Sequence, residues 1–283
     1  MTLFQGIVLA TVQGLTEFLP ISSTAHLVLV PWFFGWHDPG LTYDLVLHAG
    51  TLFALLAYFA RTWWELLGIA LRSGTHVLMS RPSQGAFIGG QRNSALLQVL
   101  VVATLPAAVA GYVLEVYAET VFRSPIVIAG MLVGVGLLMW VADRRPALTR
   151  RVETLGLRDA LVIGMAQAVA IIPGTSRAGI TIAAALFRNL TRESAAQFSF
   201  LLATPIIAGA TISEGLEAWT SGLPAGLSGW DLLVGFVVSA VAGYAAITFL
   251  LRYLQVRTLS VFIAYRLTLG GVILLLELLR SSL

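Results

Sequence analysis

The sequence predicts an all-α polytopic membrane protein, an inverted repeat of two halves that each hold a re-entrant helical hairpin plus three transmembrane helices. Three observations carry that reading. The first is composition: 58% of the 283 residues are hydrophobic, only 11% are charged and mean hydropathy is +0.87. A soluble domain carries roughly 25% charged residues, so a water-facing surface of this size is excluded. The second is a pair of apolar stretches, each interrupted midway by proline and a run of hydroxyl residues. The third is the placing of arginine, which crowds into three connectors.

From the N-terminus, residues 3–30 form the first broken stretch, interrupted at Leu19-Pro20-Ile21-Ser22-Ser23-Thr24. An X-Pro step ends a helix and a serine or threonine can cap the next one. Two half-helices meeting at a turn result, and irregular backbone at membrane depth survives only where protein or a wet cavity covers it. Three spans follow at about 41–60, 95–116 and 124–142, each near the ~20 residues that cross the hydrocarbon. The second broken stretch is 159–187, with its turn at Ile172-Pro173-Gly174-Thr175-Ser176-Arg177. Spans at about 196–216, 231–251 and 260–280 complete the chain. The result is one membrane domain over 1–283: repeat 1 at about 1–142, a linker at about 143–158 and repeat 2 at about 159–283.

The halves look like copies. A constant displacement sets Gly14 on Gln167, Pro20 on Pro173, Ser23 on Ser176, Ala25 on Ala178 and Thr51 on Thr204. Further on, Ala108-Val109-Ala110-Gly111-Tyr112 recurs as Ala240-Val241-Ala242-Gly243-Tyr244, and Phe122 and Gly130 match Phe262 and Gly270. Charge orients them. Arg61, Arg72, Arg81 and Arg92 occupy one connector, Arg144, Arg145, Arg150, Arg151 and Arg158 the linker, and Arg252 and Arg257 a third. The positive-inside rule makes all three cytoplasmic. The opposite connectors carry Asp38, Asp44, Glu115, Glu119, Glu214, Glu217 and Asp231, with Arg123 the basic exception. Three spans per half is an odd number, so the halves insert in opposite senses. The first hairpin then enters from outside, the second from the cytoplasm, and the two turns face each other near the midplane.

Other classes fall away on composition. All 17 basic residues are arginine and they sit in short connectors rather than on one face, so the sequence does not suggest nucleic acid as a partner. There is no cysteine, which removes disulfides, thiolate metal sites and cysteine nucleophiles. The N-terminus lacks the basic region of a cleaved signal.

Chemistry gathers at the two turns. Gln13 and Glu17 share one helical face, followed by Ser22, Ser23 and Thr24 and then His26. Ionisable groups inside the membrane are functional candidates by default. The plain alternatives are a packing carboxylate, a histidine in a helix contact and serines that only cap, and capping is the role assigned to the Ser22 hydroxyl. In the second hairpin, Arg177 cannot shed its proton and needs an anionic partner. Glu17 could be that partner, but phosphate suits the guanidinium fork better. Gly174 lets backbone N–H groups approach, and two helix N-termini add positive dipole ends. The whole suits an anion with several charges, such as a pyrophosphate.

The run Gln13-Gly-Leu-Thr-Glu17-Phe-Leu-Pro-Ile-Ser-Ser-Thr-Ala-His26 and the run Pro173-Gly-Thr-Ser-Arg177-Ala-Gly resemble the two signature motifs of the undecaprenyl pyrophosphate phosphatase family, the bacitracin-resistance proteins. Leu47-His48-Ala-Gly-Thr51 and Phe198-Ser-Phe-Leu-Leu extend the likeness over nearly the whole chain. The resemblance implies a multi-pass enzyme of the bacterial inner membrane, with its active site open to the periplasm. It would convert the C55 polyprenyl pyrophosphate to the monophosphate carrier of cell-wall precursors, with a divalent cation, Mg2+ or Ca2+. Carried over, Glu17 and Gln13 are metal ligands, Glu17 alone bringing a charge. Ser23 and His26 are catalytic with Glu17, and Ser176 and Arg177 are the pyrophosphate-binding pair; the flanking turn residues Ser22, Thr24, Gly174 and Thr175 complete the expected substrate site. Ala25 and Ala178 stand where many members have Gly and Ser, small-for-small changes beside the motif. Ser23, His26 or a water that His26 activates could attack, and His48 is either a supporting group or packing. Expected partners are the polyprenyl pyrophosphate lipid and the bilayer, with a homodimer left open. The rival reading is an inverted-repeat transporter or flippase for an anionic lipid or small anion, since broken helices and midplane sites build transporters too.

Overall fold

A computed structural model describes residues 1–37, 40–73, 90–119, 124–221 and 228–281, and those residues are helical with no strand among them. Asp38, Arg81, Phe122 and Arg123 lie outside the described residues, as do the side chains of Arg92, Glu115, Glu119, Glu214 and Glu217. The first hairpin is α1 (Leu3–Phe18) and α2 (Ser23–Phe34). α1 opens on a capping box between Thr2 and Gln5 and stops at Leu19, the residue before Pro20. α2 closes on Gly35 in the left-handed region.

The first span is present, but the connector after it departs from the sequence reading. α3 (Leu41–Tyr58) turns by 82° at Phe59 into α4 (Ala60–Ser73), which occupies part of the expected connector. α4 is two-faced: Leu66 is buried, whereas Trp64 and Leu71 are exposed and Arg61, Glu65 and Arg72 share the exposed side. Its mixed composition hid it in a search for apolar runs. The remaining expected spans are present, α6 (Pro125–Asp143) and α11 (Ser260–Ser281) within one residue of their predicted ends and α5 (Gly90–Glu119), α9 (Arg192–Ser221) and α10 (Gly229–Val256) overrunning theirs. The second hairpin is α7 (Leu157–Ala168), a 3-10 turn over Val169–Ile171, and α8 (Arg177–Phe187).

Packing between the halves is reciprocal, which fits the inverted repeat. The outer arm of each hairpin lies on the middle span of the other half, α1 on α10 and α7 on α5, and the last spans α6 and α11 pair with each other. Small residues let these backbones approach. A Cβ on Gly14 would stand 2.6 Å from the Ser239 carbonyl oxygen, and one on Gly164 would stand 2.5 Å from that of Ala103. At the arginine-rich end, Asp143 ties three spans together. Its carboxylate accepts from Arg192 Nε at 2.5 Å and from the Leu259 N–H at 3.0 Å. Asp159, also buried, holds Arg150 at 2.8 Å and Arg188 at 2.6 Å.

Candidate functional site

Both hairpin turns end on a serine forced into the left-handed region, Ser22 (φ 78°) and Ser176 (φ 63°). Such backbone costs a non-glycine residue about 1–3 kcal/mol. Gly174 (φ 88°) meets the same demand without a Cβ, and a Cβ there would collide with the Ile128 backbone. The Ser176 hydroxyl caps α8 by accepting from the Gly179 N–H at 3.1 Å. The capping role assigned to Ser22 is not seen: its hydroxyl makes no cap bond. The turns also differ by one residue. Helices begin at Ser23 and at Arg177, so Ser22 is the counterpart of Ser176 and Ser23 that of Arg177. The displacement read from the prolines paired Ser23 with Ser176 instead, because the second turn carries one residue more between its proline and its helix.

Glu17 is the centre. One carboxylate oxygen, Oε1, takes Arg177 Nη2 at 2.5 Å. The other, Oε2, accepts from the Ser23 hydroxyl at 2.6 Å and from Gln13 Nε2 at 3.1 Å, and His48 Nε2 stands 3.8 Å away. Glu17 and Arg177, 160 residues apart in the chain, thus meet as an almost buried ion pair between the hairpins. A small polar cavity of about 100 Å³ opens beside them. Glu17, Ser22, Ser23, Thr24, Gly174, Ser176 and Arg177 all line it, and so does His48. Three expected site residues, Gln13, Thr175 and His26, do not line it. The Thr175 hydroxyl donates back to the Val169 carbonyl, and His26 lies behind the turn with both ring nitrogens engaged.

Among the buried side-chain atoms without a partner in the described residues, two belong to the site, Arg177 Nη1 and Gln13 Oε1. A buried donor left unpaired costs about 1–3 kcal/mol, so an orphaned guanidinium nitrogen beside a polar cavity invites an anion. The orphaned amide oxygen beside a carboxylate suits a hard cation, which takes oxygen ligands from carboxylates and amides. No cluster of three or more His, Cys, Asp or Glu exists among the described residues. A cation held by Glu17 and Gln13 would therefore draw its other ligands from substrate and water.

Residues 6–272 match the family model for the bacitracin resistance protein BacA. The chain belongs to that family. Curated relatives span it end to end. An undecaprenyl-diphosphatase of Pelotomaculum thermopropionicum is 43% identical over 282 residues, covering 99% of both chains. One from Moorella thermoacetica is 44% identical over 99% of this chain and 100% of its own, and one from Geobacter sulfurreducens is 46% identical over 97% and 98%.

In this member of the BacA family, α11 supplies two residues that the sequence reading passed over. Tyr265 places its hydroxyl 2.6 Å from His26 Nε2. Arg266 is fully buried and donates to five backbone carbonyls: Pro20 in one turn, Gly174 and Thr175 in the other, and Met131 and Leu132 of α6. A signal for Arg266 was present. It is a charge inside an apolar span, the same criterion that singled out Arg177.

Proposed function

We propose that this chain dephosphorylates undecaprenyl pyrophosphate to undecaprenyl phosphate, recycling the lipid carrier of cell-wall synthesis and so conferring resistance to bacitracin. The observation that carries the reading is the Glu17 carboxylate, shared between a hydroxyl on one oxygen and a guanidinium on the other. In this reading Arg177 turns its free nitrogen to the pyrophosphate, and the N-terminal ends of α2 and α8 add their dipoles. Ser23 Oγ attacks the terminal phosphorus while Glu17 Oε2 takes its proton. The bond from that phosphorus to the bridging oxygen breaks, and the lipid monophosphate leaves. Water then hydrolyses the phosphoserine. The resemblance made His26 a catalytic residue, but the partner observed on the Ser23 hydroxyl is Glu17. A divalent cation bound by Glu17 and Gln13 would neutralise charge on the departing phosphate oxygens. A carrier protein would need the anion site, yet it would have no use for a hydroxyl poised on a buried carboxylate.

Phosphate release from a polyprenyl pyrophosphate by purified protein, with and without chelator, tests the activity and the metal together. Glu17→Gln is expected to cut turnover by about 100-fold or more and to raise the cation concentration needed for half-activity. Gln13→Glu is expected to lower that concentration by adding a charged ligand. Unchanged metal titrations in both variants would remove these residues from the cation site.

The orientation we propose puts the arginine-rich connectors in the cytoplasm and the first hairpin's entrance in the periplasm. Because the chain has no cysteine, a single one at Ser228 should react with an impermeant thiol reagent from outside. A cysteine at Arg151 should react only after the membrane is opened. Labelling of both from one side would contradict three spans per half.

A further inference from the structure

Ser23 is the first residue of α2, so its position depends on the strained residue before it, Ser22. In a regular helix the Ser22 carbonyl would be held by the N–H of the residue four ahead. That bond, from the His26 backbone, is long at 3.4 Å. The His26 side chain takes the carbonyl instead, its Nδ1 lying 2.7 Å from the same oxygen. A carbonyl oxygen only accepts, so Nδ1 carries the proton and, in the neutral ring, Nε2 is an acceptor. Nε2 is met at 2.6 Å by the Tyr265 hydroxyl, which then donates, and the two rings lie near-parallel at 5.6 Å. Nothing in this arrangement leaves a lone pair of His26 facing Ser23.

We infer that Tyr265 is a positioning residue for Ser23, acting through His26, whose imidazole serves as a backbone clamp on the Ser22 carbonyl rather than as the base. The inference rests on the reading of Ser23 as the attacking group. The Tyr265 hydroxyl holds the tautomer and angle of the imidazole, and the imidazole holds the left-handed turn that presents Ser23 to Glu17. The counterpart turn needs no such clamp, because the Ser176 carbonyl is held at 2.9 Å by the Ile180 N–H.

Turnover of a polyprenyl pyrophosphate in detergent, measured across six variants, tests this. Tyr265→Phe keeps the ring and removes only the hydroxyl. Its melting temperature should match that of the parent while kcat falls about tenfold, the worth of one hydrogen bond, at little-changed KM. Added to His26→Ala, the same change should cost nothing further, because the two residues act as one unit. His26→Asn, whose amide N–H can still reach the Ser22 carbonyl, should retain at least about tenfold more turnover than His26→Gln, whose longer side chain cannot. Wild-type kcat in Tyr265→Phe, losses that multiply in the double variant, or equal inactivity of Asn and Gln would each overturn the clamp. The last outcome would return the proton to the imidazole. Ser23→Ala separates this failure from that of the underlying reading. Full activity there removes Ser23 from the chemistry altogether, whereas an inactive Ser23→Ala beside a fully active Tyr265→Phe removes the clamp alone.

Discussion

Arg177→Ala is expected to lower kcat/KM for a polyprenyl pyrophosphate by about 10³-fold, the upper range for losing one preorganised donor to a phosphate or oxyanion. Two effects combine. The variant loses the nitrogen that has no protein partner, and it strips Glu17 of the cation that balances its buried charge. Arg177→Lys should recover little, because an ammonium is a point charge and cannot hold Glu17 and a phosphate oxygen with separate, fixed donors. Steady-state kinetics on detergent-purified protein, with melting temperature as the folding control, decides it. A lysine variant at near-parental kcat/KM would mean that the fork has no role.

Arg266→Met should act on folding. Methionine fills much of the same volume but leaves the three turn carbonyls of Pro20, Gly174 and Thr175 without donors, at about 1–3 kcal/mol for each orphan, while Met131 and Leu132 keep their helical bonds. That sum rivals the whole stability of an ordinary domain, about 5–15 kcal/mol, so little monodisperse protein should survive extraction. Arg266→Lys brings three donors from one point and should fold with a clearly depressed melting temperature and weak activity. An Arg266→Met protein that melts and turns over like its parent would show that water satisfies these carbonyls.

Much of this architecture could be read from the sequence because a bilayer narrows the choices. Runs of about 20 apolar residues with polar breaks allow few arrangements, and α5, α6, α9, α10 and α11 follow from them. The same search for apolar length missed α4, a two-faced helix. Glu17, Ser23 and Arg177 were legible because each is expensive at membrane depth and sits beside a proline break. Their convergence was legible only through the repeat: facing turns made Glu17 a candidate partner for Arg177, and the ion pair across 160 residues is that pairing, which no local pattern alone shows. Tyr265 was hidden for a related reason. A tyrosine near the beginning of a span is ordinary, and only its three-dimensional neighbour His26 gives it meaning.

The single extra residue in the second turn bears on which of two bonds can break. A pyrophosphate is close to two-fold symmetric about its bridging oxygen. Two identical turns facing each other would offer both phosphorus atoms the same groups, with no means of telling them apart. The added residue shifts the register so that the pseudo-symmetry operation exchanges Ser23 for Arg177, a hydroxyl for a guanidinium. On the proposed mechanism, one end of the anion would then meet the attacking oxygen and the other a fixed positive charge, and that one-residue mismatch would set the regiochemistry of cleavage.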